Sequence, residues 1–471
     1  MSPGIASVVY VLMILGLFWL DRDQKARTSL ALWIPVAWLS LASSRSVGQW
    51  MLVGQPMDPM DSPDQQVMEG SPIDRLVYTG LLVAGLIVLA RRRQVGKLLS
   101  ANAPVLIFFF YSAASLLWSD YPDVAFKRWT KAVGDLVMVL VVLSDREPLA
   151  AVKRFLARTA FLLIPVSILF IKYYPEIGKG YGAWDYKAFY TGVTTNKNTL
   201  GVICLFLGLA SVWRLLAAWR RREDTARIRH MIAHGAVLAM VLWLFSMANS
   251  MTSYSCFLMG SAFLIVTSSR GVVRRPAFVH FLAAATVSVC IAVLLLGAAP
   301  GLLPAIGRDA TLTDRTGIWT IVIDLTRNPL VGTGFESFWL GPRLATIWKM
   351  YPWRPFEAHN GYLEIFLNLG WIGVALLAVI IVTGYRTVIA AWRRNPAPGS
   401  LLLTYFVIGL IYNFTEAAFF RMMAPAWILL LLAITSVPDL LSQESENQSR
   451  SSFAMVPTWQ PTPATLSEDI I

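Results

Sequence analysis

The residues best suited to chemistry lie in one short stretch, from Glu357 to Glu364, which also contains His359 and Asn360. An imidazole can take or give a proton near neutral pH, and it binds phosphate when it is protonated. A nearby carboxylate such as Glu364 would favour the charged form of the ring. The stretch predicts either acid–base chemistry or anion binding, although a single loop histidine is commonly only a hydrogen-bonded surface residue.

Three polar residues in and after this stretch, Asn360, Glu364 and Asn368, follow one another at intervals of four. Pro355 could open a helix here, and residues four apart then share one helical face. A carboxylate at the mouth of a membrane span should face the protein interior or a water-filled cavity, because exposure to lipid is costly. The alternative is that these side chains only hydrogen-bond neighbouring helices together.

The chain around these residues is mostly apolar. Of its 471 residues, 56% are hydrophobic and 14% are charged, and the mean hydropathy is +0.58. A soluble domain has about 25% charged residues, so a bilayer must solvate most of this surface. The formal net charge is +12, but no basic stripe is interleaved with aromatic residues, and we expect no nucleic-acid partner.

Apolar runs long enough, or nearly so, to cross a bilayer as helices recur along the chain. They lie near residues 4–20, 29–44, 73–90, 104–118, 129–144, 155–173, 198–217, 231–249, 252–269, 277–299, 362–384, 400–415 and 425–441. Some are short or closely joined, so we expect about 12 or 13 transmembrane helices. The runs are too long and too evenly apolar for barrel strands, and the predicted fold is all-α.

Basic clusters between the runs set the orientation. Counting spans, four of them fall on one side, which the positive-inside rule assigns to the cytoplasm. They are Arg91–Arg93 with Lys97, Arg220–Arg229, Arg270–Arg275 and Arg386–Arg394. Three longer segments, residues 45–72, 173–197 and 300–360, then lie on the outer side.

The longest outer segment, residues 300–360, carries four tryptophans. We therefore expect it to fold as a lid-like domain rather than to stay disordered. It separates ten membrane helices with short loops (1–299) from the last three (361–441). Residues 442–471 are rich in Ser, Gln, Pro and Glu and predict a disordered cytoplasmic tail. The three cysteines lie inside apolar runs and predict neither a disulfide framework nor a metal site.

Several motifs of the outer segments resemble those of a known family. They are Trp118–Pro122, Gly192–Gly201, Arg315–Trp319, Pro329–Phe335 and His359–Glu364. In this order and membrane setting they resemble the O-antigen ligase and polymerase superfamily over about residues 100–440. The Lys197-Asn198 pair and the run Gly334–Trp339 are most similar to its exopolysaccharide-production polymerase branch.

The resemblance implies an all-helical glycosyltransferase in the bacterial inner membrane. The donor would be a glycan on undecaprenyl diphosphate. The acceptor would be another lipid-linked repeat unit for a polymerase, or a lipid A core for a ligase. The reaction would occur on the periplasmic face without a metal ion, a nucleotide sugar or another cofactor. Membrane lipid, a chain-length regulator and export proteins would be its partners.

The resemblance also implies roles for individual residues. Because a diphosphate is a good leaving group, the enzyme chiefly needs cations around it. Arg315 matches the family's loop arginine, and a guanidinium binds phosphate through a bidentate fork. His359 matches the family's histidine, as the base or as a diphosphate ligand. Glu364, beside it in sequence, is the second catalytic candidate. Further diphosphate candidates are Lys197, Arg343 and Arg354. Substrate-binding candidates are Asn198, Asn360, Trp319 and Glu357.

One segment departs from the family pattern, because Ser250–Ser255 has no basic residue where many members carry one. Either another cation replaces it or the diphosphate is held differently. A transporter or lipid flippase and a non-catalytic assembly scaffold are alternatives from other classes. Transporters usually show inverted repeats and broken spans with charged residues near the bilayer centre, and the sequence indicates neither.

Overall fold

The computed structural model describes residues 1–23, 26–51, 71–181, 188–220, 226–295, 315–351 and 354–435. The helices of the first part are α1 (Pro3–Leu20), α2 (Trp33–Ala42), α3 (Val47–Met51), α4 (Pro72–Ala90), α5 (Val95–Ala101), α6 (Ala103–Ala114), α7 (Pro122–Leu143), α8 (Pro148–Tyr173) and α9 (Pro175–Gly178). Those of the second part are α10 (Lys197–Arg220), α11 (Arg227–Ala248), α12 (Met251–Thr267), α13 (Arg270–Val273), α14 (Pro276–Leu295), α15 (Arg315–Asp324), α16 (Gly341–Met350), α17 (Gly361–Arg394), α18 (Pro396–Tyr412) and α19 (Pro425–Thr435).

Strands are confined, within the described ranges, to one short hairpin. Strand β1 (Lys179–Tyr181) pairs antiparallel with β2 (Ala188–Tyr190), and Lys179 lies opposite Tyr190. Two 3-10 turns precede α2 and follow α6, at Leu30–Leu32 and Ser115–Trp118. The predicted all-α fold is confirmed.

The helices fall at the predicted apolar runs. Among the described residues, six helices are long and apolar enough to cross a membrane, or seven if α5 and α6, bent by 80°, form one span. The six are α1, α4, α8, α10, α11 and α17. Shorter apolar helices include α12, α18 and α19. The polytopic membrane fold is confirmed, and the total of 12 or 13 spans stays a prediction.

Helices α8, α10, α18 and α19 form the centre of the bundle. In α8 and α10, 72% of the most apolar window is buried inside the protein, against 11% in α1. The Tyr405 hydroxyl of α18 donates to the Phe206 carbonyl of α10 at 2.8 Å, with both residues fully buried. The exposed residues of α1 are apolar, as expected of a surface that lipid covers.

One long helix, α17, is broken at Gly370, a break that the sequence did not indicate. At Gly370 in α17 the backbone has φ 63° and ψ −164°, which ends the helical hydrogen-bond pattern. A turn segment, residues 329–334, fills the break. The Trp371 and Ile372 amides donate to the Pro329 and Leu330 carbonyls at 2.9 and 3.2 Å.

The same turn segment satisfies the carbonyl groups of α17 that precede the break. In an intact helix the Leu367 and Asn368 carbonyls would accept from Trp371 and Ile372. Here they accept from the Thr333 and Gly334 amides at 3.2 and 2.9 Å. The break therefore leaves these backbone groups paired.

Glycine is required where the two backbones meet. A Cβ atom on Gly370 would lie 2.3 Å from the Leu330 carbonyl carbon, and one on Gly332 would lie 2.4 Å from that of Asn368. Both glycines also have positive φ, a conformation that other residues rarely adopt. Close backbone contact and backbone conformation together account for glycine at these two positions.

Below the break, residues 371–394 are enough to cross a bilayer of about 30 Å at 1.5 Å per residue. Above it, α17 packs with residues 315–351 and 354–360, which we call the lid. The lid has a small core of its own, formed by Ile318, Val322, Phe338, Trp339, Leu344, Ile347, Ala358 and Leu367. Residues 300–314 and the predicted tail, 442–471, lie outside the described residues.

The orientation can be tested at two exposed lysines, Lys97 in α5 and Lys349 in the lid helix α16. We expect a cysteine at position 349 to react with a membrane-impermeant maleimide in spheroplasts. A cysteine at position 97 should react only after permeabilisation, since the positive-inside rule places it in the cytoplasm. Reaction of both from the same side would contradict the predicted topology.

Candidate functional site

His359 lies at the junction between the lid and the membrane bundle, directly before α17. Its Nδ1 atom is 2.9 Å from Glu357 Oε1 and 3.2 Å from Glu416 Oε2. Arg421 forms an ion pair with Glu357. His359 has a left-handed φ of 50°, a strained conformation that persists only where surrounding contacts enforce it.

The start of α17 fixes the backbone beside this histidine. Asn360 is the N-cap, and its side chain accepts from the Tyr362 and Leu363 amides at 3.0 and 3.1 Å. The Gly361 amide donates to the Asn413 carbonyl at 2.8 Å, and a Cβ on Gly361 would lie 2.1 Å from the Asn413 side-chain oxygen. Asn360 therefore has a structural use, and its predicted role in substrate binding stays a prediction.

Glu364 belongs to the first turn of α17 and packs against the lid, where its carboxylate accepts several hydrogen bonds. It accepts from the Trp339 indole at 2.9 Å, from the Ala358 amide at 2.6 Å and from the Asn368 amide group at 3.3 Å. The bond to Ala358 holds the residue that precedes His359. These contacts make Glu364 a support for the His359 backbone, and its predicted catalytic role stays a prediction.

Asn368 joins the lid to α17. Its side-chain oxygen accepts from the Ser337 and Phe338 amides at 2.9 and 3.1 Å, and its amide group donates to the Glu364 carbonyl at 2.9 Å. The predicted face of Asn360, Glu364 and Asn368 therefore points into the protein. Its members hold loops in place, which agrees with the alternative that they bond neighbouring elements together.

The segment Trp118–Pro122 meets the lid at residues 334–343. The Ser119 and Ser337 hydroxyls are 2.7 Å apart, and Ser115 accepts from the Phe335 amide at 2.9 Å. A Cβ atom on Gly334 would lie 2.7 Å from that of Ser119. Three separate motifs of the sequence thus pack against one another around the top of α17.

The predicted cations occupy different places. Arg343 is bonded to Asp120 at 2.7 Å and donates to the Phe338 and Ser337 carbonyls, so it stabilises the lid loop. Arg354 is exposed and lies over the Trp348 ring, 5.3 Å from the centroid. The remaining two begin helices: Arg315 begins α15, its side chain lying outside the described atoms, and Lys197 is exposed at the start of α10.

Two other predicted residues have clear surroundings. The Trp319 indole donates to the Ala358 carbonyl at 2.8 Å, so it also supports the backbone before His359. Asn198 is half-buried in the first turn of α10. Substrate binding by either residue stays a prediction.

Sequence reasoning missed Glu416, which contacts His359, and Arg421, which pairs with Glu357. It also missed Arg128, which lies close enough to Arg421 for the two charges to interact. Glu416 and Arg421 belong to the connection between α18 and α19, and Arg128 donates to the Glu336 carbonyl at 2.5 Å. The available signal was a charged pair within a short outer connection between two apolar runs. For Arg128 it was a basic run, Lys127–Lys131, at the outer end of a span.

The segment that departs from the family pattern is packed against α10. A Cβ atom on Gly201 would lie 2.7 Å from the Ser253 hydroxyl and 2.8 Å from the Ser250 Cβ. These two serines are hydrogen-bonded to each other at 3.2 Å. The small residues permit this close helix contact.

The other three histidines make contacts far along the chain from the lid. His230 and His234 lie 2.8 and 3.1 Å from one Asp21 carboxylate oxygen, and Arg214 lies 2.8 Å from it. Burial opposes ionisation of Asp21, but these hydrogen bonds and the Arg214 charge outweigh it and hold its pKa well below its usual range. The cluster ties α1 to α10 and α11. His280 is bonded to Tyr385 at 2.7 Å.

Glu357, His359 and Glu416 offer ligand atoms that lie within 4.8 Å of one another and could hold a metal ion. Two carboxylates and an imidazole are suitable donors for several divalent metals. Arg421 already pairs with Glu357, so a protein cation neutralises part of the charge. The predicted metal independence therefore stays a prediction with a direct test.

Comparison with known proteins finds relatives but no matching family model. The exopolysaccharide production protein ExoQ of Rhizobium meliloti (strain 1021) is 23% identical over 317 residues, covering 66% of this chain and 70% of that protein. A putative polysaccharide ligase of Rickettsia felis is 24% identical over 215 residues, covering 43% and 51%. The putative polysaccharide ligase RP358 of Rickettsia prowazekii is 28% identical over 137 residues, covering 27% and 33%.

The names of these relatives support a role in polysaccharide processing. This role agrees with a membrane protein in which the segments Trp118–Pro122, Pro329–Phe335 and His359–Glu364 meet at the top of α17. Together with those motifs, they confirm the predicted resemblance of the chain to O-antigen ligase and exopolysaccharide-production proteins.

Proposed function

We propose that the protein is a glycosyltransferase that polymerises undecaprenyl-diphosphate-linked repeat units into exopolysaccharide on the periplasmic face of the bacterial inner membrane. The observation that carries this proposal is the position of His359 between Glu357 and Glu416, with Arg421 paired to Glu357. An acid–base group beside a cation suits a reaction in which a hydroxyl attacks and a diphosphate leaves.

In the proposed reaction, the acceptor hydroxyl oxygen attacks the anomeric carbon of the donor sugar. The bond from that carbon to the diphosphate oxygen breaks, and the electron pair leaves with the diphosphate. His359 takes the hydroxyl proton. With the ring N–H on Nδ1 directed at the carboxylates, Nε2 is the basic nitrogen, and the carboxylates stabilise the charge that the ring gains.

Guanidinium groups are the proposed ligands of the departing diphosphate, because they bind phosphate oxygens in a bidentate manner. We assign this role first to Arg421, which pairs with Glu357, and then to Arg128, whose charge interacts with that of Arg421. Arg315, at the start of α15, stays a candidate. We assign Arg343 to holding the lid, because Asp120 and two carbonyl groups already bind it.

The reaction should not require a metal ion. We expect the purified protein to keep its turnover after treatment with EDTA, because Arg421 already balances the charge of Glu357. The measurement is polymer formed from lipid-linked repeat units, with and without chelator. Loss of turnover that added Mn²⁺ or Zn²⁺ restores would instead assign Glu357, His359 and Glu416 as metal ligands.

The second candidate function is ligation of finished glycan to lipid A core, which the names of the two Rickettsia relatives favour. Product analysis of a strain that lacks the gene separates the two reactions. Single repeat units left on lipid would indicate a polymerase. Full-length chains that stay unattached would indicate a ligase.

A flippase or transporter would give a different result in detergent solution, where there is no second compartment. The proposed enzyme should form glycosidic bonds there from purified lipid-linked repeat units. A protein that only moves its substrate across a membrane would leave the repeat units unchanged. Absence of any new linkage from well-folded protein would therefore contradict the proposed function.

A further inference from the structure

A carboxylate lies fully buried in the membrane bundle and takes no part in the described contacts among Glu357, His359, Glu416 and Arg421. Asp135 belongs to α7 and is 0% exposed. Burying an ionisable side chain at membrane depth is costly, so such residues are usually functional and paired with a definite partner. The proposed chemistry gives this carboxylate no direct role.

The two oxygens of Asp135 accept from two different elements. The Trp38 indole of α2 donates to Oδ1 at 2.7 Å, and the Met423 backbone amide donates to Oδ2 at 3.1 Å. Gly134 allows the Trp38 ring to lie directly on α7, since a Cβ there would be 2.2 Å from the ring. Asp135 therefore links α2 and α7 to the connection that follows α18.

This connection, residues 413–424, enters the bundle as irregular backbone. Helix α19 has 11 described residues, about 16 Å, or about half the hydrocarbon thickness. At its last described residue, the Thr435 carbonyl accepts from Asn102, near the basic turn Arg91–Arg93 that is predicted to be cytoplasmic. Pro425, at the other end, is therefore about halfway across.

Irregular backbone at membrane depth is tolerated only where protein groups satisfy it. Asn413 accepts from the Ala418 and Phe419 amides at 2.9 Å, and Asp135 serves the Met423 amide. Both Phe420 and Met423 have left-handed φ values, 52° and 61°. The segment thus depends on these specific contacts for its shape.

Rings also hold the 413–424 segment in place. Phe420 is 1% exposed and stacks on Phe108, with the ring centroids 3.5 Å apart. Its centroid is 4.1 Å from that of Trp427. These contacts fix the segment at Phe420, which lies between Glu416 and Met423, the residue attached to Asp135.

The same segment carries two charged residues of the candidate site. Glu416 contacts His359, and Arg421 contacts Glu357. We propose that Asp135 is a positioning residue, whose carboxylate fixes the 413–424 segment so that Glu416 and Arg421 face His359 and Glu357. This inference rests on the proposed function only where activity is the readout.

The chemistry of the contact explains why a carboxylate is needed. Two N–H donors, from Trp38 and Met423, require two acceptor atoms. Asparagine offers one acceptor and one N–H group of nearly the same shape. In Asp135→Asn, one of the two donors therefore faces another donor, and the segment should shift to relieve the conflict.

The first experiment measures geometry without activity. Glu357→Cys and Arg421→Cys are combined in full-length protein whose native Cys204, Cys256 and Cys290 are replaced by alanine. We expect a short thiol-reactive cross-linker to join positions 357 and 421 readily. Adding Asp135→Asn should slow the cross-linking about tenfold in the monodisperse, folded fraction.

The second experiment uses rescue. In the native-cysteine protein, Asp135→Asn should lower kcat for polymer formation about tenfold per folded molecule, and Trp38→Phe alone should have a small effect. Combining Asp135→Asn with Trp38→Phe removes the indole N–H donor. The side-chain carbonyl of the introduced asparagine can then accept from the Met423 amide. We expect the double variant to regain part of the lost kcat and, in the cysteine pair background, part of the cross-linking rate.

The outcomes separate the alternatives. Unchanged cross-linking in Asp135→Asn overturns the inference, whether or not turnover falls. Equal turnover in Asp135→Asn and in the double variant also overturns it, because a general loss of packing would not be rescued by removing Trp38. Slowed cross-linking in a protein that makes no polymer even with Asp135 supports the positioning role and refutes the proposed function.

Discussion

Replacing His359 with alanine should lower turnover of lipid-linked repeat units by about 100- to 10,000-fold, the usual contribution of one acid–base group. The reason is that His359 Nδ1 lies within hydrogen-bonding distance of Glu357 and Glu416, an arrangement that orients a base. The measurement is initial polymer formation by purified protein, normalised to the folded fraction. Near-normal turnover would remove His359 from the chemistry.

Two further variants separate the roles of the ring. If His359 only supplies positive charge to the diphosphate, His359→Arg should keep partial activity and His359→Gln should be poor. If it is the base, both should fail, and His359→Glu should retain more activity than either. A change in protein yield alone would not discriminate, so the thermal unfolding midpoint of each variant serves as the control.

Replacing Gly370 with alanine should destabilise the protein by about 3 kcal/mol or more and abolish most of its turnover. The residue has φ 63° and ψ −164°, where an alanine is strained by about 1–3 kcal/mol. Its Cβ would also lie 2.3 Å from the Leu330 carbonyl carbon, so the turn segment 329–334 must move. Thermal unfolding in detergent and hydrogen exchange across residues 329–334 measure the effect.

The matched control is Gly235→Ala in α11, where an added Cβ meets nothing within 4 Å. A helix gains about 1 kcal/mol when alanine replaces glycine in its interior. The control should therefore leave turnover unchanged and raise the unfolding midpoint slightly. Equal behaviour of the Gly370 and Gly235 variants would show that the break in α17 does not need glycine.

The sequence predicted the helices well because the bilayer imposes a simple rule on them. A span must be apolar over nearly its whole length, so its position can be read from composition alone. The break in α17 could not be predicted this way. Gly370 lies inside an apolar run, and the turn segment that fills the break, residues 329–334, lies more than thirty residues earlier in the chain.

The candidate site was predictable where its residues are neighbours in the chain. Glu357 and His359 were identified together, and the structure places them 2.9 Å apart. Glu416 and Arg421 were not, because a predicted span ended beside them and their approach to His359 depends on the irregular 413–424 segment. Asn360 and Glu364 were singled out for substrate binding and catalysis, which stay predictions, and their contacts in the structure support the backbone.

The turn segment 329–334, which fills the break in α17, limits how chimeras of this protein can be built. A chimera that exchanges only residues 300–360 with those of a relative would place that relative's version of the 329–334 segment against the carbonyl groups of Leu367 and Asn368. It would also separate the lid core from Leu367, which belongs to that core. The smallest exchangeable unit should therefore be residues 300–372 together with residues 118–122. Any preference for particular glycans that resides in the lid would then pass between homologues only along with the top of this helix.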